Sequence, residues 1–273
     1  MVTLDTFKKV LQKTQSELKD LVTEYLKINK YKPIVGDGFV YAKGEIPIML
    51  VAHLDTVHKF KPKDIYYDAE QDVMWSPQGI GGDDRCGVYI ITKLIEQFRP
   101  YILFTEDEEV GGLGAKKTVE TLMAPDLKFI IEVDRRGSDD CVFYDCDNKD
   151  FTKYIESFGF KTAIGTYSDI CTLSDHWEIA SVNLSSGYYH EHTTNEIIKL
   201  KDMEKTIERI SKILSDKKSD YYEFVKKVYN QNYKPSTKSD PQEYRYVDGN
   251  GYIDMDGMWH YWDEEGFGND HLF

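Results

Sequence analysis

The sequence predicts an α/β protein in which a mostly parallel, mixed β-sheet lies between two layers of helices. Strongly apolar runs of strand length, such as residues 46–52 and 128–133, alternate along the chain with segments of helical periodicity. Such runs are typical of strands buried on both faces, and their alternation with helices indicates parallel strands joined by helical crossovers. Polar residues follow several runs directly, which places a candidate site at the carboxyl edge of the sheet.

The elements follow in order from the spacing of apolar residues. Helical spacing predicts helices over residues 5–28, 84–98, 114–122, 149–158 and 200–214. Apolar runs of strand length predict strands over residues 39–42, 46–52, 101–105, 128–133, 141–144 and 181–184. Two short runs, residues 65–67 and 73–75, flank a polar segment and predict an accessory hairpin.

The composition of the chain changes after about residue 215. We therefore predict a catalytic domain over residues 1–215 and a C-terminal segment over residues 216–273. That segment is expected to begin with a helix over residues 221–229 and to continue as an acidic, aromatic-rich extension. Residues 233–273 contain nine aromatic side chains and carry nine acidic against three basic groups. A small β-hairpin is expected over residues 258–266.

Charge and composition restrict the class of protein. The formal net charge of -14 argues against binding to nucleic acid or to an anionic membrane. No apolar run reaches the length of about 20 residues that spans a bilayer, and the first 30 residues lack the apolar core of a signal peptide. The four cysteines show neither zinc-finger spacing nor a dense disulfide pattern. We expect reduced thiols and a cytoplasmic protein.

Short motifs rich in His, Asp and Glu follow the apolar runs. His53-Leu-Asp55 comes directly after the run over residues 46–52, and Asp83 and Asp84 are adjacent in a glycine-rich segment. Neighbouring aspartates repel each other unless a cation or a helix N-terminus stabilises them. The remaining candidates are Glu108, Glu109, Asp134 and His192. Imidazole and carboxylate are ligands that suit zinc, and the set predicts a metal site.

The order of the motifs, His-x-Asp, Gly-x-Asp-Asp-x-x-Gly, Asp-Glu-Glu, Val-Asp and His-Thr, resembles that of the co-catalytic di-zinc exopeptidases. This superfamily includes tripeptidases, aminoacylase-like carboxypeptidases and zinc aminopeptidases. The resemblance covers about residues 46–215. It implies the zinc-exopeptidase form of the phosphorylase/hydrolase fold and two Zn²⁺ ions per chain, with Mn²⁺ or Co²⁺ as substitutes.

Each role implied by the resemblance falls on a particular residue of this chain. One metal ion would be held by His53 and Asp134 and the other by Glu109 and His192, while Asp83 would bridge both ions. Two further carboxylates complete the expected centre. Asp55 would accept the second ring N–H of His53, and Glu108 would act as the general base.

Neighbouring residues compete for three of these roles, and Asp134 has an alternative partner. Asp84 could replace Asp83 as the bridge, or it could cap the following helix. Glu106 competes with Glu108 as the base, and His190 competes with His192 as the last imidazole ligand, with substrate contact as its other role. Asp134 could instead pair with one of the two arginines that follow it.

Substrate-binding residues are less firmly indicated. Only 57 residues separate Asp134 from His192, too few for the inserted lid domain of roughly 100 residues that carboxypeptidase-type members carry. The oxyanion donor must then come from elsewhere, and the candidates are Tyr167, His176 and Tyr188. Arg135 or Arg136 beside the site would suit a substrate carboxylate.

These observations predict a metal-dependent amide hydrolase, most simply an aminopeptidase-like exopeptidase acting on short peptides. The alternative within the same chemistry is a carboxypeptidase or a deacylase of N-acyl amino acids. A non-catalytic binding protein on the same fold, using the aromatic extension as its interaction surface, is the alternative from another class. Expected partners are the peptide or N-acyl amino acid and, in a homo-oligomer, further copies of the chain.

Overall fold

The computed structural model describes residues 2–227 and, beyond them, three short strands. The chain forms two compact units, Met1–Lys227 and Val228–Phe273. All residues of the predicted catalytic domain, 1–215, lie in the first unit. Its helices are α1 Leu4–Leu11, α2 Gln15–Ile28, α3 Gly82–Leu94, α4 Leu113–Thr121, α5 Lys149–Glu156, α6 Asp169–Trp177 and α7 Leu200–Ser215.

Twelve strands in the first unit form two sheets. The strands are β1 Ile34–Gly36, β2 Phe39–Ala42, β3 Ile46–His53, β4 Tyr66–Asp68, β5 Val73–Trp75, β6 Pro100–Thr105, β7 Phe129–Arg135, β8 Asp140–Val142, β9 Lys161–Thr162, β10 Ser181–Ser185, β11 Tyr188–Tyr189 and β12 Ile197–Ile198. The main sheet has the order β1-β2-β6-β3-β7-β10-β8-β9. Its central strands β6, β3, β7 and β10 are parallel, and β2 and β8 join this block in antiparallel orientation.

Helices cover both faces of the main sheet. Along β3, Leu50 and Ala52 belong to a core cluster shared with α1, α2, α3 and α7. The alternate residues Met49 and Val51 belong to a second cluster shared with α4 and α6. Because successive strand side chains point to opposite faces, one strand contributes to both cores. The predicted α/β fold, with a mostly parallel mixed sheet between two helical layers, is confirmed.

A smaller antiparallel sheet, of order β11-β12-β5-β4, contains the predicted accessory hairpin as β4 and β5. Strand β12 pairs with β5, so that Ile197 lies opposite Trp75. This pairing anchors one end of the loop over residues 190–196 to the hairpin that follows β3. The small sheet therefore links segments that are distant in sequence on the side of the domain where the candidate site lies.

The predicted helices differ from the structure near the N-terminus and in the segment before residue 179. The single helix expected over residues 5–28 is interrupted, because Thr14 caps a new helix by accepting the Glu17 N–H while the Glu17 carboxylate accepts the Thr14 N–H. This capping box satisfies free N–H groups at the start of α2. Helix α6 was absent from the predicted elements, which left the segment before residue 179 unassigned.

The helix predicted over residues 221–229 is wrong for residues 221–227. This segment is instead extended, with antiparallel bridges from Glu223 to Ile179 and from Lys226 to Cys146. In the second unit, the strands β13 Tyr246–Val247, β14 Gly251–Ile253 and β15 Trp259–Tyr261 form an antiparallel sheet. The predicted hairpin over residues 258–266 lies partly outside the described residues. None of the described helices combines the length and apolar composition that crossing a membrane requires.

Candidate metal centre

The centre lies where three parallel strands of the main sheet end. Strand β3 ends at His53, which lies opposite Thr105 at the end of β6. The N–H of Leu54 donates to the Thr105 carbonyl at 2.8 Å, which extends the pairing one residue further. Asp134 lies near the end of the neighbouring strand β7. The loops after these strands therefore converge at one edge, as expected for ligand sites in parallel sheets.

Asp83 stands between two imidazoles at the start of α3. Its Oδ1 lies 3.0 Å from Nε2 of His53, and its Oδ2 lies 3.2 Å from Nε2 of His192. His53 is only 1% exposed, whereas the His192 side chain is 54% exposed. One carboxylate thus contacts a buried ring on one side and a solvent-accessible ring on the other.

Each imidazole also has a second carboxylate beside it. Nε2 of His53 lies 3.4 Å from Asp134 Oδ1, and Nε2 of His192 lies 3.0 Å from Glu109 Oε2. Two groups of three ligand atoms result, each with its atoms within 4.8 Å of one another: His53, Asp83 and Asp134, and Asp83, Glu109 and His192. Asp83 belongs to both groups.

Asp55 connects the end of β3 to the loop after β6. Its Oδ1 lies 3.2 Å from His53 Nδ1 and accepts the Glu108 N–H at 3.1 Å, while its Oδ2 accepts the Glu109 N–H at 3.0 Å. Burial acts to raise the pKa of Asp55, but these hydrogen bonds outweigh it and lower the pKa to about 2. The carboxylate thus holds the His53 ring and the backbone that carries both glutamates.

Glu196 has a similar role for the backbone of Asp83. It is 1% exposed, and its two oxygens accept the N–H groups of Asp83 and Gly81, each at 2.9 Å. His58 Nε2 lies 2.9 Å from the same carboxylate. Strand β12, which follows Glu196 directly, holds this end of the loop that contains His192.

The structure also places the competing residues. The Asp84 Oδ1 accepts the Gly87 N–H at 2.9 Å, so that Asp84 caps the first turn of α3. Glu106 forms an ion pair with Lys19 of α2, away from the imidazoles. His190 is exposed, and its carbonyl accepts the Thr193 hydroxyl. Asp84, Glu106 and His190 therefore lie outside the two groups of candidate ligands described above.

Carboxylates outnumber cationic groups at the centre. As a result, the pKa values of several ionisable groups there are shifted from their usual range. Burial, with Asp83 as the nearest like charge, raises the pKa of Asp134 to about 8. Burial also raises the pKa of Glu108 to about 9, and the charges of Asp134 and Asp169 act in the same direction. The hydrogen bonds that His192 donates to Asp83 and Glu109 raise its pKa to about 11. The crowding of carboxylates in a buried centre thus acts against the charged forms of Asp134 and Glu108.

These residues fit a divalent metal. Buried Oε1 of Glu109 has no hydrogen-bond partner among the described residues. A buried carboxylate oxygen without a partner is costly, and coordination to a cation satisfies it. Two imidazoles and three carboxylates, divided into two groups by a shared Asp83, match the donor atoms that zinc prefers.

Of the five residues predicted to bind substrate, two lie beside the centre. The Tyr188 hydroxyl donates to Asp134 Oδ1 at 3.2 Å. The Tyr167 hydroxyl lies against Gly112, next to the loop that carries Glu108 and Glu109, and contacts Thr172 Oγ1 at 3.3 Å.

The structure does not bring the other three substrate-binding candidates among the ligand side chains. Arg135 donates to the Ile164 carbonyl and lies 3.7 Å from Asp140. His176 is exposed in the last turn of α6, about 10 Å along the helix from Asp169. His190 is the third, in the exposed position described above.

Sequence reasoning missed several buried polar residues at the centre. Glu196 is not among the predicted site residues, and its contact with Asp83 spans 113 residues. Asp169 accepts the Thr105 hydroxyl beneath the centre, and Glu132 is fully buried with both oxygens lacking a described partner. An acidic residue two positions before Asp134 within an apolar strand was the available signal for Glu132.

Comparison with known proteins supports the fold. No protein-family model matches the chain, and a search of curated proteins finds no match. Similar solved structures include the aminopeptidase PepT of Bacillus cereus and a tripeptidase of Staphylococcus aureus. Each has a TM-score of 0.64, 15% identity, and coverage of 77% of this chain and 96% of its own. The Pyrococcus horikoshii TET1 peptidase has a TM-score of 0.60 and 14% identity, covering 77% and 98%. The chain has the fold of these peptidases.

Proposed function

We propose that this protein is an aminopeptidase-like exopeptidase of short peptides that uses two co-catalytic zinc ions. The observation that carries the proposal is the position of Asp83. One of its oxygens lies 3.0 Å from Nε2 of His53, in the first ligand group. The other lies 3.2 Å from Nε2 of His192, in the second. A carboxylate shared between two ligand groups is the arrangement that holds two cations at the short separation of two-metal hydrolases. The similar folds of known aminopeptidases support the same assignment.

His53 and Asp134 would hold one ion, Glu109 and His192 the other, and Asp83 both. Mn²⁺ or Co²⁺ would serve as substitutes for zinc. When bound, the ions would polarise the scissile carbonyl and lower the pKa of the attacking water. All of these ligands lie within residues 1–215, which we propose as the catalytic domain.

Glu108 is proposed as the general base. Its backbone is fixed by Asp55, whereas its carboxylate makes no hydrogen bond to another described residue and is therefore available to water or substrate. Nearby positive charge lowers the pKa of a carboxyl group, so we expect Glu108 to be ionised in the loaded centre. It would then accept the proton of the attacking water and deliver it to the leaving amine.

The surroundings favour an amino terminus over a carboxylate as the recognised end. The two arginines nearest Asp134 already have acidic partners: Arg135 lies 3.7 Å from Asp140, and Arg136 pairs with Glu191 at 3.0 Å. The rim thus offers no uncommitted arginine at these positions for a substrate carboxylate. An excess of carboxylates would instead attract a protonated amine.

A small substrate panel tests the proposal. The chelator-treated protein would be assayed on amino-acid anilides, di- and tripeptides, and N-acetyl amino acids, with and without added zinc, manganese or cobalt. We expect metal-dependent cleavage of peptides with a free amino terminus. Cleavage only of N-acetyl amino acids would indicate a deacylase. A protein that binds metal but cleaves none of the panel would favour the non-catalytic alternative.

The substitution Glu108→Gln tests the base. It removes the proton acceptor but keeps the size of the side chain, so we expect turnover to fall by roughly 10²- to 10⁴-fold. Bound metal, measured by elemental analysis, should remain unchanged. Glu106→Gln is the matched control, because Glu106 is in the same loop but pairs with Lys19. Equal activity in both variants would remove Glu108 from the role of base.

We also propose that the protein is a homo-oligomer. The TET1 peptidase of Pyrococcus horikoshii can assemble into a tetrahedron or a large octahedral shell. The similarity in fold supports the proposal. Light scattering, which measures the mass of the purified protein in solution, tests it.

A further inference from the structure

A cavity of about 280 Å³ lies between the connection of α1 to α2 and the loop that follows β3. Four of its lining residues are basic: Lys13, Lys59, Lys61 and Arg85. Asp55 is the one acid among the described residues that line it. A concentration of positive charge is unexpected in a chain whose net charge is -14. The side chains that line the cavity are therefore mainly basic, whereas those of the neighbouring metal centre are mainly acidic.

Arg85 is buried without a carboxylate partner. It is 3% exposed and donates only to carbonyl groups, those of Leu54, Asp55 and Lys13. Its Nε has no hydrogen-bond partner among the described residues. A guanidinium removed from water is usually paired with an anion. The walls of the cavity thus contain a buried cation that forms no direct ion pair in the described part of the chain.

The lysines of the cavity add positive charge, and Glu17 is the carboxylate that acts on two of them, Lys61 and Lys13. Within residues 2–227, neither Lys13 nor Lys59 forms an ion pair, and only Lys61 does so, with Glu17 at 3.0 Å. The charge of Asp55 is already shared among His53 and two backbone N–H groups. Among the described residues, Lys61 is therefore the one lysine or arginine of the cavity that forms a direct ion pair.

We propose that this cavity binds a small oxyanion, a phosphate or a carboxylate group. Arginine and lysine side chains form charge-assisted hydrogen bonds to both. At about 30 Å³ of liquid volume for each water, the space corresponds to roughly nine waters and accommodates either group. The binding site does not depend on the proposed peptidase activity.

Occupation of this cavity would also affect the metal centre. Asp55 lines the cavity and holds the backbone of Glu108 and Glu109. His58 and Gly81 line it as well, and both contact the Glu196 carboxylate that holds Asp83. An anion in the cavity thus touches the residues that position the centre.

Calorimetric titration of the metal-loaded protein with inorganic phosphate tests the site. The variant Lys13→Ala/Lys59→Ala removes two basic groups of the cavity. The control Lys32→Ala/Lys43→Ala removes the same charge from exposed positions that form no ion pair in residues 2–227. We expect roughly tenfold weaker phosphate binding in the cavity variant and no change in the control, a difference of about 1.4 kcal/mol. The proposal would be overturned if the protein did not bind phosphate. It would also be overturned by equal phosphate binding in both variants, the result expected if phosphate binds only to the metal ions.

Kinetics would separate the two sources of the anion. If the cavity receives a carboxylate of the substrate, the cavity variant raises KM for peptides with an acidic residue more than for neutral peptides, and phosphate competes with the acidic peptides. If the occupant is free phosphate, the ratio of the two KM values stays constant. These kinetics identify the occupant, and the titration alone decides whether the site exists.

Discussion

The Glu196 carboxylate accepts the backbone N–H of Asp83 at 2.9 Å, although the two residues are 113 positions apart in the sequence. The second oxygen accepts the Gly81 N–H and lies 2.9 Å from His58. Asp83 belongs to both candidate ligand groups, and His192 lies four residues before Glu196. One buried carboxylate therefore orients the shared ligand and holds the loop that supplies another.

We predict that Glu196→Gln weakens zinc binding by roughly 10- to 100-fold, as expected for loss of a group that orients a metal ligand. Glutamine keeps the size of the side chain, but its NH₂ group cannot accept the second backbone N–H. The substitution also removes the negative charge that Glu196 places beside His58. Competition with a chromophoric chelator would measure the affinity, and elemental analysis the number of ions bound per chain.

The exposed Glu120 provides the control for this measurement, since Glu120→Gln makes the same chemical change far from any contact with Asp83. Circular dichroism would confirm that both variants are folded. Zinc affinity equal to that of the Glu120→Gln control would show that Glu196 does not position the centre.

Gly87 provides a test of close packing beneath the centre. A Cβ at this position would lie 2.0 Å from the Val133 carbonyl and 2.5 Å from the carboxylate of Asp84. Since the carbonyl belongs to strand β7, it cannot move away cheaply. We predict that Gly87→Ala lowers the free energy of unfolding by about 3 kcal/mol, at the upper end for overpacking, as measured by denaturant titration of the chelator-treated protein.

Gly111→Ala is the comparison variant. Gly111 has a φ of +100° and open space around its Cβ position, so only backbone strain opposes a side chain there. Such strain costs about 1–2 kcal/mol. If Gly87→Ala proved no more destabilising than Gly111→Ala, the contact with β7 would be less rigid than the structure indicates.

The sequence predicted the sheet well because burial on both faces leaves a direct signal in composition. Strand β3 is almost wholly apolar, and its carboxyl end carries the His53 motif. Residues 221–227 show the limit of the same reasoning. Their aromatic spacing suggests a helix, yet Tyr222 packs on Phe129 and Phe151 from an extended segment. Apolar spacing reports that side chains are buried, and tertiary contacts decide the backbone conformation.

The candidate ligands were predictable for a related reason. His53, Glu109 and Asp134 lie at or after the carboxyl ends of strands that meet at one edge, so that their proximity follows from the topology. The residues that orient them were not predictable in this way. Glu196 and Arg85 act through backbone groups that are remote in sequence, with contacts spanning 113 and 72 residues. No local pattern specifies which backbone N–H or carbonyl such a side chain will meet.

The stability of the metal-free protein should decrease as the pH rises from about 6.5 to 8. In the folded chain, the pKa of Asp134 is raised from 3.8 to about 8, that of Glu108 from 4.5 to about 9, and that of His192 from 6.5 to about 11. In this range the folded state therefore holds protons that the unfolded chain has released. The free energy of unfolding then falls with increasing pH. The slope is at most about 1.4 kcal/mol per pH unit for each proton, and less for the half-exposed His192.

Bound zinc should reverse this dependence, because metal binding displaces protons from its ligands and strengthens as the pH rises. We therefore predict that the difference in Tm between zinc-loaded and chelator-treated protein widens from pH 6.5 to 8. Thermal unfolding of both forms across this range measures it. In chelator-treated Asp134→Asn, which cannot take up the proton at that position, the decline in Tm with pH should be smaller than in the unsubstituted protein. Parallel curves of Tm against pH for the zinc-loaded and chelator-treated forms would mean that zinc does not bind at the acidic groups whose pKa values are raised.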